Sequence, residues 1–143
     1  MKFNQVSIFL ENKKGRLWEV CALLGKNSIN IRALTIAESE DFGVLRIVVD
    51  KPDETMKLLK ANNFVANLTD IVAVQVPDRP GGLASVLEVL SKSDINVEYM
   101  YGFVEKSSDN ALLVFRFEDP DAAVKLLQKN GIKILAKSEL VNL

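Results

Sequence analysis

The chain has 143 residues, 48% hydrophobic and 26% charged, with 18 basic against 19 acidic side chains and no histidine. A near-neutral balance speaks against a broad phosphate-binding surface, and the lack of histidine removes the commonest general base and metal ligand. No apolar run is long enough to span a bilayer, and the single Cys21 leaves no internal disulfide, so the expectation is a soluble, cytoplasmic protein.

Residues 1–5 run into an alternation at Val6, Ile8 and Leu10 without a signal-peptide pattern. The alternation predicts a strand, and the period then changes to helical spacing at Leu17, Val20, Cys21 and Leu24. An apolar segment from Ile29 to Ala37, a polar turn at Glu38 to Asp41, and a strand from Gly43 to Val49 read as a hairpin. Pro52-Asp53 opens a second helix carrying Met56 and Leu59, and Phe64 to Leu68 closes the unit as a strand. The order then returns: strand at Val72, Val74 and Val76; helix at Leu83, Val86, Leu87 and Leu90; hairpin from Ile95 to Phe117; helix from Asp121; strand from Ile132.

The residues repeat as well as the periods. Gly15-Arg16-Leu17 and Ser28-Ile29-Asn30-Ile31 return as Gly81-Gly82-Leu83 and Asp94-Ile95-Asn96-Val97, offset by 66 positions. Pro52-Asp53 and Lys57-Leu58-Leu59 return as Pro120-Asp121 and Lys125-Leu126-Leu127, offset by 68. The two extra residues fit best in the turn Lys106-Ser107-Ser108-Asp109-Asn110, where an insertion is tolerated. The fold class is therefore α+β: two ferredoxin-like βαββαβ domains in tandem, residues 1–70 and 71–143. Each is expected to be a four-stranded antiparallel sheet with both helices on one face. The second strands of the two domains are expected to meet edge to edge in one eight-stranded sheet, which would cover exposed edges.

In both repeats a glycine marks the start of the first helix, within Leu10-Glu11-Asn12-Lys13-Lys14-Gly15-Arg16-Leu17 and Val76-Pro77-Asp78-Arg79-Pro80-Gly81-Gly82-Leu83. A helix start offers unpaired N–H groups and partial positive charge, which suits a carboxylate. Asn12, Asp78, Asn30 and Asn96 are candidate acceptors for an ammonium group. Ordinary turn chemistry explains either loop taken alone, with Asn12 or Asp78 as a local helix cap.

Asp78-Arg79-Pro80-Gly81-Gly82-Leu83 followed by Asp94-Ile95-Asn96-Val97 resembles the ACT domain, a regulatory amino-acid-binding module, and the first repeat fits the same pattern. The resemblance implies domains paired side by side, with an effector at the pair's interface between the first loop and the second strand. Carried over, it implicates Asn12, Gly15 and Asn30 in the first repeat, and Asp78, Gly81, Gly82, Leu83 and Asn96 in the second. The first repeat departs at Lys14, where the second has Pro80, and a histidine that serine-binding members carry is replaced by Leu10 and Val76. The implied protein is a non-catalytic amino-acid-binding regulator, expected to be a homodimer with no cofactor and no metal, and docking a partner enzyme is the alternative role.

An RNA-binding module shares the βαββαβ order and stacks bases on the bare sheet face. Phe115 and Phe117 alternate with Arg116, matching Ile47 and Val49 in the first repeat, so they are assigned to the helix side and nucleic acid is not an expected partner. Tyr99, Tyr101 and Phe103 form a stripe assigned to the other face, which a second chain or partner is expected to bury. Trp18, replaced by Ala84 in the second repeat, is either an interface anchor or a core or domain-junction residue. Cys21 falls on the apolar face of its helix and is read as buried.

Overall fold

The computed structural model describes residues 2–104 and 109–141. Contacts divide the chain into two compact units: Asn4–Thr69, and Asp70–Leu143 together with Met1–Phe3. Most of the turn expected to hold the two inserted residues, Lys106 to Ser108, lies outside the described residues.

The first unit contains β1 (Phe3–Glu11), α1 (Arg16–Lys26), β2 (Ile31–Glu38), β3 (Phe42–Val49), α2 (Pro52–Ala61) and the opening part of β4 (Val65–Pro77). Its strands run in the order β2-β3-β1-β4. Antiparallel pairing of β1 with β3 sets Val6 opposite Ile47 and Ile8 opposite Leu45. Because alternate residues share a face, Val6, Ile8, Leu10, Leu45, Ile47 and Val49 form one apolar layer. Val20 and Leu24 of α1 and Leu59 of α2 close the core with that layer.

The second unit contains the remainder of β4, α3 (Gly82–Ser91), β5 (Val97–Gly102), β6 (Asn110–Phe117), α4 (Pro120–Lys129) and the short α5 (Lys137–Val141). The strand order is β4-β6-β5. Val72, Val74 and Val76 join Phe115 and Phe117 under Val86, Leu90, Ala123 and Leu127, an equivalent of the first core. The two phenylalanine rings stack with centroids 5.4 Å apart and are fully buried, on the helix side as alternation predicts.

The described residues form six strands rather than eight. One strand is lost because the closing strand of the first repeat and the opening strand of the second are the single strand β4. No Gly or Pro interrupts the stretch from Val65 to Val76, so nothing forces a turn at the polar pair Thr69-Asp70. The second loss is at the end of the chain, where the strand expected from Ile132 shrinks to one bridge between Ile134 and Val74. Gln75 N–H donates to the Lys133 carbonyl and Leu135 N–H to the Ala73 carbonyl before α5 begins. Glu139 ends the extended stretch by accepting the Ala136 N–H at 3.1 Å, the reach-back half of a capping box. Among the described residues β2 has β3 as its hydrogen-bonded neighbour and β5 has β6, and the eight-stranded pairing is not seen.

Of the aromatic stripe, Tyr101 is 8% exposed within the single chain and stacks on Tyr99 at 6.5 Å, while Tyr99 and Phe103 are half-buried. In the first unit Gln5 and Ser7 are buried, with Gln5 Nε2 donating to Ser7 Oγ at 3.0 Å.

Candidate functional site

Both first loops end on a glycine in the left-handed conformation, Gly15 at φ 91° and Gly81 at φ 83°, each the residue before a helix. That backbone state favours glycine whatever a ligand does, so it explains why both repeats carry one there. The N-cap residues are the two glycines themselves, which have no side chain to cap with, and the side-chain hydrogen bonds of Asn12 run away from the helix start. Asn12 is instead a clamp. Its Nδ2 donates to the carbonyls of Ser39 and Glu40 at 3.1 and 3.2 Å, and its N–H to that of Asp41 at 2.8 Å. The β1–α1 loop is thereby tied to the β2–β3 turn.

In the second repeat Asp78 N–H donates to the Asp109 carbonyl at 3.1 Å, an equivalent tie. Gly82 has a packing role: a Cβ there would collide with the Pro77 carbonyl oxygen. Leu83 is half-buried against the second core.

Asn30 and Asn96 sit elsewhere. Asn30 precedes β2, its N–H donating to Asp50 Oδ1 at 3.0 Å, whereas Asn12 contacts the turn that follows β2. Asn96 likewise precedes β5, its carbonyl accepting from Glu118 N–H, away from the Asp78 loop. Within one unit the structure therefore brings Asn12 and Gly15 to one end of the sheet and leaves Asn30 at the other, and the second unit repeats the separation.

A cleft of about 230 Å³ lies beside the first loop. Leu10, Leu17 and Ile36 line it, Gly43 leaves room in its wall, and Glu11, Asn12, Lys13 and Glu38 add polar groups. Lys13 Nζ lies 3.1 Å from Glu11 Oε2, with both side chains largely in solvent. Of the eight residues that sequence reasoning selected, Asn12 alone lines this cleft. A comparable cleft of about 240 Å³ in the second unit is lined by Gln75, Pro77, Ser85, Asn110 and Lys133 among others, and by none of the selected residues. The apolar lining was missed because Leu17 at helical spacing and Ile36 in alternation read as core. Their half-exposure, 43% and 46%, is what sets them apart.

A family model described as the ACT domain pair matches residues 1–143. The chain belongs to that family. Over its full length this ACT domain pair superposes on the crystal structure of protein BT0572 from Bacteroides thetaiotaomicron, with a TM-score of 0.93, 45% identity and 98% of that chain covered. The regulatory subunit of aspartate kinase from Thermus thermophilus shares the fold at a TM-score of 0.64 and 16% identity, over 88% of this chain and 91% of its own. A curated relative, the acetolactate synthase small subunit of Buchnera aphidicola, is 28% identical over 74 residues, 52% of this chain and 46% of its own length. The match thus spans under half of that relative.

Among the described residues of the ACT domain pair, no group of three acidic, Cys or His side chains is placed to hold a metal ion. No helix among them is long and apolar enough to cross a membrane. Cys21 is half-buried against the first core, and burial pushes its thiol pKa up, the opposite of what a nucleophile needs. Trp18 is 73% exposed, which removes the core reading of that residue.

Proposed function

We propose that this ACT domain pair is a non-catalytic amino-acid sensor, with the cleft of its first repeat as the receiving site. One observation carries the reading. Beside the start of α1 is a cleft with an apolar lining, from Leu10, Leu17 and Ile36, and polar groups at Asn12, Lys13 and Glu38. An amino acid has the same division, an apolar or mixed side chain joined to a carboxylate and an ammonium. The carboxylate would rest on Lys13 and the first-turn amides after Gly15, which have no intrahelical acceptor. Its ammonium would be met by Glu38 or by the Asn12 carbonyl oxygen. In the second repeat Asp78, Gly81, Gly82, Leu83 and Asn96 are a weaker candidate for the same role, since none of them lines a described cleft and Leu83 serves the core.

A thermal-shift screen of the amino acids tests this. A ligand confined to the folded state stabilises it by about 2.7 kcal/mol at 100 times its dissociation constant. No shift with any amino acid at millimolar concentration would leave the second reading, a regulatory subunit that docks on an amino-acid-related enzyme. The exposed Trp18 and the small-subunit name of the Buchnera relative favour that alternative. Base stacking on Phe115 and Phe117 has no support, since both rings are buried.

A further inference from the structure

We infer that Asn130-Gly131, at the end of α4, is a site of spontaneous deamidation peculiar to the second repeat, and that its products loosen the end of the chain from β4. Three helices finish in one way. The side-chain Nδ2 of Asn27, Asn62 and Asn130 donates back to the carbonyls of Leu23, Leu58 and Leu126, at 2.9, 2.8 and 2.8 Å. In each case the next residue is in the left-handed conformation: Ser28 at φ 59°, Asn63 at φ 64° and Gly131 at φ 75°. Its N–H donates to the carbonyl of Gly25, Lys60 and Gln128 respectively, at 3.1, 3.2 and 3.0 Å. All three asparagines are exposed.

Because the caps are alike, the residue that follows each asparagine decides their chemistry. Deamidation begins when the following amide nitrogen attacks the asparagine side-chain carbonyl carbon, and a side chain on that following residue obstructs the approach. Asn130 is the one asparagine of the chain followed by glycine. The left-handed backbone does not require that glycine, since Asn63 holds the same state in the first repeat. Packing does not require it either, because a Cβ on Gly131 would meet nothing within 4 Å.

The reaction balances with water alone. Gly131 N bonds to Asn130 Cγ, the Cγ–Nδ2 bond breaks, and ammonia leaves with the amide proton, giving a five-membered imide. Water then opens the ring at either carbonyl. One cleavage gives aspartate at position 130, and the other gives isoaspartate, with one methylene added to the main chain. In the closed cap both the nucleophile and the leaving group are tied, Gly131 N–H to Gln128 and Asn130 Nδ2 to Leu126. The reaction therefore runs through the open form of the last turn, which a fraying helix end reaches without global unfolding.

Both products undo the end of α4. Aspartate replaces a donor by a carboxylate facing the Leu126 carbonyl, at the helix end where negative charge is unfavourable. Isoaspartate lengthens the main chain just before Ile132, whose N–H donates to the Leu127 carbonyl at 3.0 Å. The residues that follow tie the chain end to β4: the Lys133 carbonyl accepts from Gln75 N–H, Ile134 bridges Val74, and Leu135 N–H donates to Ala73. Gly131, Ile132 and Lys133 also wall the cleft of the second unit, so the modification alters that cleft and leaves the lining of the first unit's cleft untouched.

The test is peptide mapping by mass spectrometry on the full chain, aged at mildly alkaline pH in buffer and in urea. In the native protein the peptide containing Asn130 should gain the mass of O in place of NH and split into two products of equal mass, while Asn27 trails and Asn62 stays intact. Urea should accelerate the change at Asn130 at least about tenfold by removing the closed cap. Gly131→Asn, which copies the Asn62-Asn63 pair, should abolish the reaction, and Asn63→Gly should create a second site at Asn62. The modified fraction and Asn130→Asp should both show faster hydrogen exchange at the Gln75 and Leu135 amides. A native rate at Asn130 no greater than that at Asn62, a single product in place of two, or an Asn63→Gly chain that reacts no faster at Asn62 would overturn the site. Unchanged exchange at Gln75 and Leu135 would overturn its effect on the chain end.

Discussion

The α-carbon of Gly82 lies so close to the Pro77 carbonyl that a Cβ at that position would overlap the oxygen. This contact seats the start of α3 on the end of β4. Gly82→Ala forces the helix start away from the strand, an overpacking cost of about 1–3 kcal/mol that outweighs the usual gain of alanine in a helix. A urea midpoint lowered accordingly, with the slope unchanged, is the expected result. An alanine variant as stable as wild type would show that the helix start shifts freely. The first repeat tolerates Arg16 at the equivalent position, so the constraint belongs to the loop from Pro77 to Pro80 and not to the fold.

The cleft and its counterpart in the second repeat give a paired prediction. Leu17 is exposed on the cleft, whereas Leu83, its equivalent, packs on the second core. Leu17→Asp should leave stability nearly unchanged and weaken amino-acid binding at least about tenfold, by adding a charge where the ligand's apolar part and carboxylate sit. Leu83→Asp should instead lower the melting temperature, because a carboxylate replaces a half-buried core side chain. Calorimetry and thermal denaturation on both variants check the split. Equal effects of the two substitutions on affinity would place a working site in the second repeat as well.

Much of this was legible before the fold was known, and the exceptions have physical causes. Alternation at Val6, Ile8 and Leu10, and again at Val72, Val74 and Val76, marks the two core layers, because only one face of each strand is apolar. The continuity of β4 was hidden because Thr69-Asp70 has turn-like polarity, yet the Thr69 hydroxyl reaches Ser7 and the Asp70 carbonyl accepts from Arg116 within extended backbone. The loop glycines were found, but their left-handed φ gives them a backbone reason to be there. Leu17 and Ile36 were hidden because helical spacing and alternation report which face a residue is on, not whether that face is covered.

Cys21 supplies a chemical test of the first unit. Its thiol is half-buried and burial raises its pKa, so the thiolate fraction near neutral pH is smaller than that of a free cysteine. Alkylation of the native protein should be slower than that of the urea-unfolded chain at the same pH, and should accelerate as the first unit opens. A native rate equal to or above the unfolded rate would mean that α1 does not cover the thiol as described.

Glu139 links the end of the chain to pH. Its carboxylate accepts the Ala136 N–H at 3.1 Å and lies 3.1 Å from Lys133 Nζ, and these contacts, the backbone hydrogen bond first, hold its pKa below the ordinary glutamate value. A group whose folded pKa is depressed contributes stability that is fully present above its unfolded pKa and is lost as pH falls through the folded one. The anchoring of α5 should therefore be intact at neutral pH and weaken below about pH 4.3, the unperturbed glutamate range. Because Glu139 is solvent-exposed, the effect should be local: the Ala136 amide signal should shift in a pH titration followed by NMR while the core residues Val74 and Phe115 stay unchanged. Glu139→Gln keeps a side-chain acceptor but no charge, so it should remove the acid transition at Ala136 and leave the neutral-pH fold intact. A transition that persists in Glu139→Gln would assign it to another carboxylate, and its absence from wild type would mean that the reach-back to Ala136 is not formed in solution.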